Sequence, residues 1–374
     1  KRFKQIPQSE PVFKGKELEY LTDTVRSGWI SSVGKYVNLF EKKFSKFTKS
    51  NYTLATSSGT AALQLAISVL KLKKKDEVIV PDFTFVAPIN AILHSGAKPV
   101  LADIDNDTLC ISYESIKKLV NKNTKAVVIV HLYGNTPELE KIVKLCKKKR
   151  IKIIEDCAEA FGTTYKKRHV GKFGDIGTFS FFGNKTITTG EGGMILFKKN
   201  KHYEIAKKLR DHGMSKDKKY YHEEVGFNYR MTNMQGAIGV AQMERFKEII
   251  KFKQEIFSFY NEKLEGQIGI LRLPKSSANI TNSAWLYTCI LDKSINRDHL
   301  ISKLQELGIE TRPCFNSLCE MPPYKKYKHS KSLDNSKLLS KQGISLPSST
   351  KIKKNQLEHI VNIFLEQLKL NIDK

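Results

Sequence analysis

The feature that most constrains this fold is a regular alternation of short apolar runs and helix-like patterns between residues 53 and 197. The runs are rich in β-branched residues, which favours buried strands, and most are followed by apolar residues at helical spacing. Strands that alternate with helices form a mainly parallel sheet with helices on both faces. The predicted strands are 53–56, Glu77–Val80, Lys98–Ala102, Ala126–Val130, Thr178–Phe182 and Met194–Phe197, and the predicted helices between them are Thr60–Leu70, Thr84–Ser95, Ser112–Val120 and Glu138–Lys148.

The pattern changes in the last third of the chain. Apolar residues at helical spacing predict one long helix over Asn233–Leu264, after which short strands and helices are mixed. A chain of 374 residues is long enough for two domains. We therefore expect a large α/β domain over residues 1–250, with an N-terminal arm, and a small α+β domain over residues 251–374. The predicted elements of the small domain include a strand at Trp285–Leu291 and helices at Arg297–Leu307 and Lys354–Leu368.

The net charge of +26 raises the hypothesis of a nucleic-acid-binding or scaffold protein. Only 10 of the 64 basic residues are arginine, and the lysines are spread over helix faces and loops, as in Lys71–Lys75 and Lys147–Arg150. Aromatic residues are not interleaved with the basic residues of these two runs, as they are in single-strand-binding grooves. Composition therefore favours a lysine-rich protein with no nucleic-acid partner, whose field could attract an anionic substrate.

The cysteines and the apolar runs indicate the compartment. Six cysteines form no C-x-x-C pair, which favours a reducing, cytoplasmic setting. No apolar run approaches the roughly 20 residues of a membrane span, and residues 1–10 lack the apolar core of a signal peptide. The histidines, among them His169, show no metal-ligand spacing, so no metal site is expected.

One lysine occurs in a context unlike that of the others. Lys185 lies between the aromatic strand Thr178–Phe182 and the glycine-rich segment Gly190–Gly193. An amine at the end of a buried strand loses its proton easily, and a neutral amine attacks carbonyl groups. Exposed lysines are the norm, so the flanking residues, and not the lysine alone, carry the functional hypothesis.

Two further motifs make that hypothesis specific. The β-branched run Ile151–Ile154 is followed by two acids, of which Asp156 is the second. Asp156 is therefore expected where a parallel strand meets the ligand-binding edge of a sheet. The segment Ala55–Leu63 favours a strand, a hydroxyl-rich turn and a helix start, which is suited to bind a phosphate. An acid for a pyridinium nitrogen and a lysine for a Schiff base are what a pyridoxal phosphate enzyme requires. Each motif is weak alone, because a Ser-Ser-Gly-Thr turn is usually an ordinary helix cap.

Together these segments resemble the DegT/DnrJ/EryC1/StrS family of sugar aminotransferases, which are fold-type I pyridoxal phosphate enzymes. The likeness runs from about residue 7 to about residue 365, and the string Phe181–Gly193 is its most specific part. The resemblance implies an α/β fold with a mainly parallel, seven-stranded-type sheet between helices and a smaller α+β C-terminal domain. The other matching segments are Ser27–Ser32, Val80–Ala87, Glu155–Ala160 and Asn228–Asn233.

The resemblance also implies a role for each site residue. Lys185 would bind pyridoxal 5'-phosphate as a Schiff base and then move a proton, with pyridoxamine phosphate as the intermediate form. Asp156 would hold the ring nitrogen protonated, Glu159 would lie near the phenolic oxygen, and Phe85 would stack on the ring. A carboxylate beside a phenolate repels it unless one of the two carries a proton.

The remaining implied roles concern the phosphate and the partner subunit. Gly59, Thr60 and Ser180 would bind the phosphate, and Asn228 would reach it from the second subunit of a homodimer with shared active sites. The alternatives are a core aromatic for Phe85, a strand-end cap for Asp156 and a turn residue for Asn228.

The leading functional interpretation is transfer of an amino group from L-glutamate to C4 of a nucleotide-linked 4-keto-6-deoxyhexose. One alternative is a dTDP- or UDP-linked 4-keto-6-deoxyglucose, which would give viosamine instead of perosamine, and another is a sugar 3-aminotransferase. The family's 3-dehydratases carry histidine in place of the lysine, so Lys185 argues against them. Cys319 stands where the resembled aminotransferases commonly carry histidine, which leaves the sugar and nucleotide preference open.

Overall fold

The computed structural model describes residues 5–274 and 279–372; the outermost ends of both predicted domains, and residues 275–278, lie outside this range. The helices are α1 (Glu17–Arg26), α2 (Lys35–Thr48), α3 (Gly59–Val69), α4 (Ala87–His94), α5 (Tyr113–Leu119), α6 (Leu139–Lys149), α7 (Asn200–Arg210), α8 (Asn233–Glu244), α9 (Phe246–Leu264), α10 (Arg297–Glu306), α11 (Asp334–Gln342) and α12 (Lys354–Ile372). The strands are β1 (Tyr52–Thr56), β2 (Glu77–Pro81), β3 (Lys98–Ala102), β4 (Thr124–Val130), β5 (Lys152–Asp156), β6 (Thr164–Tyr165), β7 (Arg168–His169), β8 (Ile176–Ser180), β9 (Gly193–Phe197), β10 (Ile270–Arg272), β11 (Ile280–Thr281), β12 (Tyr287–Leu291), β13 (Arg312–Pro313) and β14 (Gly343–Leu346).

The predicted sheet is confirmed. Seven strands lie in the order β1-β9-β8-β5-β4-β2-β3, and all neighbours are parallel except the two pairs that include β9. Strands β2, β4 and β5 are buried along almost their whole length, because helices cover both faces of the sheet.

A second sheet lies in the C-terminal part of the chain. Four strands in the order β10-β12-β14-β13 pair antiparallel. They pack with α9, α10 and α12 around a separate apolar cluster that includes Tyr260, Tyr287 and Phe364. A small α+β unit at this end agrees with the expected layout, and the boundary at residues 250 and 251 stays a prediction that falls inside α9.

Two predicted helix bounds were wrong. The stretch Asn233–Leu264 is two helices, which meet at Arg245 although no glycine or proline marks the break. Phe246, the first residue after the break, packs its ring against Phe47 and Phe161, so tertiary packing sets the turn. The helix expected from Thr84 begins at Ala87, with a proline in its first turn, as helix starts favour.

The strand register brings the predicted site segments together. Val130 pairs with Asp156, and Asp156 pairs with Thr178, so the carboxyl ends of β4, β5 and β8 meet at one sheet edge. Ser180 at the end of β8 pairs with Gly193, which also pairs with Thr56 just before α3. No helix within the described ranges is long and apolar enough to cross a membrane.

Candidate active site

Lys185 lies in a loop that leaves β8 and returns to β9. The loop is closed at its base by a hydrogen bond from the Phe181 N–H to the Gly192 carbonyl (2.8 Å), and the Lys185 N–H bonds the Phe182 carbonyl (2.9 Å). The side chain is only 14% exposed. A lysine that sequence analysis distinguished by its flanks is therefore held in a tight, mostly buried loop.

The Lys185 amine has two close neighbours. A carboxylate oxygen of Glu159 is 4.0 Å from Nζ, and the centre of the Trp285 ring is 3.9 Å from it. Burial lowers the pKa of the amine, and the charges of Glu159 and Asp156 partly oppose that shift. The amine is thus moved toward the neutral, nucleophilic form.

Asp156 ends β5 and is buried. Its side chain accepts a hydrogen bond from the Ala158 N–H (3.0 Å), and its own carbonyl accepts one from the N–H of His131 (3.0 Å). Burial raises the pKa of the carboxyl group, while the Ala158 bond and the charge of Lys185 lower it. The structure therefore presents a fixed carboxyl group at the sheet edge that the sequence predicted.

Glu159 lies three residues further on and is also buried. Its carboxylate accepts a hydrogen bond from the Tyr133 N–H (2.9 Å), at the short 3-10 helix that follows β4. Burial raises the pKa of Glu159 to about 7, although Lys185 and the Tyr133 bond oppose the shift. Glu159 can therefore change its protonation state near neutral pH. In its protonated form it would not repel a neighbouring phenolate.

The start of α3 carries the residues of the predicted phosphate cradle, whose binding role stays a prediction. Ser58 caps the helix by accepting the Ala61 N–H (3.1 Å). A Cβ atom at Gly59 would lie 2.6 Å from the Cβ of Ser180, so only glycine lets the helix begin beside that serine. Thr60 is exposed in the first turn. The structure thus brings Gly59, Thr60 and Ser180 to one helix N-terminus with free N–H groups.

Phe85 and Asn228 are, like Thr60, exposed predicted site residues. Phe85 is 55% exposed, and its ring lies 5.9 Å from that of Phe315, so one face remains accessible. The side-chain oxygen of Asn228 accepts a hydrogen bond from Arg230 (3.1 Å), while the carbonyl of Tyr229 accepts the N–H of Ser57 (2.9 Å). The Asn228 segment therefore lies beside the cradle of its own chain, and its role across a subunit boundary stays a prediction.

Comparison with known proteins identifies the family. The sequence matches the DegT/DnrJ/EryC1/StrS aminotransferase family over residues 11–365. The chain belongs to this family.

The relatives of this aminotransferase agree on its chemistry. GDP-perosamine synthase of Vibrio cholerae is 42% identical over 359 residues, which are 96% of this chain and 97% of the relative. GDP-perosamine synthase of Escherichia coli O157:H7 is 41% identical with the same coverage. The putative sugar aminotransferase Spr1654 of Streptococcus pneumoniae, in its PMP-form, has a TM-score of 0.93 at 27% identity and covers 99% of both chains. Spr1654 is also solved in a PLP-form. The chain is accordingly a pyridoxal phosphate-dependent aminotransferase.

The residues of the aminotransferase fit this cofactor. Lys185 supplies a buried amine with a lowered pKa, and Asp156 supplies a buried carboxyl group at the same sheet edge. The close approach of Gly59 to Ser180 leaves a helix start with no side chain where a phosphate would bind. An amine, a carboxyl group and a phosphate cradle are the three protein features that the cofactor needs.

A buried cluster beside the site belongs to the framework of the aminotransferase. His131, Glu155 and Cys157 lie close enough together to suggest a metal site. The carboxylate of Glu155, however, already accepts hydrogen bonds from the imidazole of His131 (3.0 Å) and from backbone N–H groups of the segment before β8. Although burial raises the pKa of Glu155, these bonds lower it below its usual value. A carboxylate saturated in this way favours a structural role, joining β5 to the segment that leads into β8.

Sequence analysis missed two residues beside Lys185. Trp285 is 3% exposed and was assigned only to a strand, which in the structure begins two residues later. Lys253 is 4% exposed on α9, where its amine donates to the carbonyls of Trp285 (2.9 Å) and Ser348 (2.6 Å). A tryptophan beside a run of apolar residues and a lysine among many others carry no local signal that could have identified them.

Proposed function

We propose that this aminotransferase moves an amino group from L-glutamate to C4 of a nucleotide-linked 4-keto-6-deoxyhexose, as a perosamine-synthase-like enzyme. The observation that carries the proposal is the place of the Lys185 amine, 4.0 Å from Glu159 at the sheet edge that Asp156 also reaches. The names of relatives at 41% and 42% identity support a nucleotide sugar as the acceptor.

Each site residue would then have one task. Lys185 would hold the cofactor covalently and, once the substrate amine displaces it, would move the proton between the amino-bearing carbon of the substrate and the cofactor. Asp156 would keep a proton on the ring nitrogen, and Gly59, Thr60 and Ser180 would hold the phosphate. Bound pyridoxal phosphate supplies an electron sink for that carbon.

Glu159 would control the charge next to the phenolic oxygen of the cofactor. A neutral Glu159 can donate a hydrogen bond there, whereas an ionised one would repel a phenolate. Phe85 would stack on the ring through its exposed face.

The sugar and nucleotide preference would depend on the segment around Cys319. The Cys319 N–H bonds the buried carboxylate of Asp82 (2.8 Å), which follows β2 and precedes Phe85. Cys319 also lines an open cleft of about 620 Å³ together with Lys325, His329 and Lys337. A half-buried thiol at this place makes a weaker hydrogen bond than an imidazole. The second candidate substrate is a dTDP- or UDP-linked 4-keto-6-deoxyglucose.

The test is a substrate panel read by mass spectrometry. Purified protein with pyridoxal phosphate and glutamate would be given GDP-, dTDP- and UDP-linked 4-keto-6-deoxysugars. We expect one nucleotide series to gain an amino group at C4 while glutamate becomes 2-oxoglutarate. Amination at C3, which NMR of the product would distinguish from the 4-amino isomer of equal mass, or no amination of any nucleotide sugar, would refute the proposal.

We also propose a homodimer with shared active sites. Trp29, Ile30 and Val33, in the loop before α2, are 47–60% exposed, an unusual concentration of apolar surface in a protein with a +26 charge. Asn228 is exposed as well and could reach the phosphate of a second subunit. Light scattering at assay concentration should give a dimer, and a fully active monomer would contradict it.

A further inference from the structure

One side chain of the C-terminal sheet region contacts the Lys185 loop twice. The indole N–H of Trp285 donates a hydrogen bond to the carbonyl of Asn184 (2.7 Å), the residue directly before Lys185. The face of the same ring lies 3.9 Å from the Lys185 amine. Trp285 therefore fixes the backbone next to the lysine and also covers its amine.

Trp285 is itself held from two directions. Its ring stacks on Tyr133 at 6.1 Å and 15°, and the Tyr133 N–H bonds Glu159, the acid that faces Lys185. Its carbonyl accepts the amine of Lys253 (2.9 Å). Both groups around the Lys185 amine, the ring and the carboxylate, are thus joined through Tyr133.

The anchor at Lys253 is an unusual one. In the described part of the chain, Lys253 has no carboxylate within ion-pair distance, and its amine bonds only the carbonyls of Trp285 and Ser348. Burial lowers the pKa of Lys253 to about 7. Burying an amine without an acid costs free energy of folding unless the amine is hydrogen-bonded. The two hydrogen bonds of Lys253 offset this cost and tie the carbonyls of Trp285 and Ser348 to α9.

We propose that Trp285 is a positioning residue that orients the Lys185 amine toward Glu159, with Lys253 holding the Trp285 backbone. The inference rests on the proposed role of Lys185. It links the two sheets functionally, because Lys185 follows a strand of the seven-stranded sheet whereas Trp285 precedes a strand of the four-stranded sheet. The amine that reacts is therefore placed by a contact between the two halves of the fold.

Trp285→Phe is the decisive variant. It keeps an aromatic face and removes the N–H that binds Asn184, so we expect kcat to fall about five- to tenfold, the effect of one lost hydrogen bond. Trp285→Leu removes the face as well, and misplacement of a reacting group typically costs about 100-fold. The KM values should stay within about twofold, because Trp285 acts through the lysine and not on substrate binding.

A second readout does not depend on turnover. The visible circular dichroism band of the bound cofactor reports how Lys185 orients it. We expect the band to shrink in Trp285→Phe and further in Trp285→Leu. Lys253→Met, which frees the Trp285 carbonyl, should reduce it as well.

Tyr260→Phe is the matched control. Tyr260 is buried in the apolar cluster of the C-terminal sheet, and its hydroxyl donates to the carbonyl of Pro347 (2.8 Å), so the variant also loses one buried hydrogen bond. We expect it to lower the melting temperature and leave kcat and the dichroism band unchanged.

The outcomes separate the two proposals. Equal effects of Trp285→Phe and Tyr260→Phe on the band and on kcat, or no effect of Trp285→Phe, would overturn the positioning role. Mapping the borohydride-reduced cofactor to another lysine would instead overturn the role of Lys185. If Trp285→Leu does not fold, kcat and the dichroism band of Trp285→Phe alone decide the positioning role.

Discussion

Lys185 and Lys253 both contact Trp285, Lys185 at the ring and Lys253 at the backbone carbonyl, and their surroundings differ in two respects. The Lys253 amine donates to two carbonyls at 2.9 and 2.6 Å, whereas the nearest carboxylate oxygen to the Lys185 amine is 4.0 Å away. Burial lowers the pKa of both amines. A lowered pKa therefore does not by itself identify a reactive lysine.

What distinguishes Lys185 is an amine that is buried, near acids and not engaged in a short hydrogen bond among the described residues. Lys253 donates to two carbonyls and, among residues 5–274 and 279–372, has no carboxylate within ion-pair distance, so it can hold a backbone but has no acid partner for proton transfer. The experiments that follow test this division between a reactive amine and a structural one.

The largest effect should come from Lys185→Ala. The variant removes the amine that would bind the cofactor and move the proton, and it leaves the cradle of Gly59 and Ser180 intact. We expect turnover to fall by about 10²–10⁴-fold or more while the cofactor still binds through its phosphate. Steady-state kinetics and equilibrium dialysis with pyridoxal phosphate measure the two quantities. Wild-type turnover would show that Lys185 is not the reactive amine.

Asp156→Asn should have the next largest effect. Asparagine keeps the shape of the side chain and removes the charge that would hold a proton on the ring nitrogen. We expect kcat to fall by about 10²–10³-fold, with the cofactor still reducible onto Lys185. If the variant turned over at nearly the normal rate, Asp156 would have no part in the chemistry.

Lys253→Met should change stability more than chemistry. The folded-state pKa of Lys253 is about 7, below its unfolded value, so between these two values the unfolded chain binds a proton that the folded chain has lost. The free energy of unfolding should therefore rise with pH above about 7, by up to about 1.4 kcal/mol per pH unit. Below about 7 the slope from this group should vanish, because both states are protonated.

The control for this effect is the variant itself. Methionine is apolar and of similar length, so urea unfolding of Lys253→Met should lack the rise above about pH 7. An identical slope in both proteins would mean that Lys253 keeps its ordinary pKa and that the comparison of the two lysines fails.

The smallest effect should come from Glu159→Gln. Burial raises the pKa of Glu159 to about 7, so the wild-type carboxyl group loses its proton as the pH rises through neutrality. Glutamine imitates the neutral form at every pH. We expect a several-fold inflection in the kcat profile near pH 7 in the wild type, and a flatter profile in the variant. An unchanged profile would place the titration on another group.

The sequence predicted those parts of the molecule whose signals are local. β3 has the predicted bounds, and β2 differs by one residue, because short β-branched runs ended by loops identify themselves. Lys185 and Asp156 were chosen as candidate site residues from their immediate neighbours in the chain.

Contacts between distant residues left no such signal. The bond from Trp285 to Asn184 joins residues 101 positions apart, and Lys253 reaches Ser348 across 95. The break at Arg245 depends on rings from other elements packing around Phe246, which no local pattern contains. Local propensity therefore predicted the strands and local motifs predicted the candidate lysine, while packing between the two sheets decided what surrounds that lysine.

The most direct test of the central claim is to reduce the holoenzyme with borohydride and map the modified lysine by mass spectrometry. Both buried amines have lowered pKa values, so basicity alone would allow either to react. We expect the cofactor on the peptide that contains Lys185 and none on the peptide that contains Lys253. A cofactor found on Lys253, or on any lysine other than Lys185, would contradict the account.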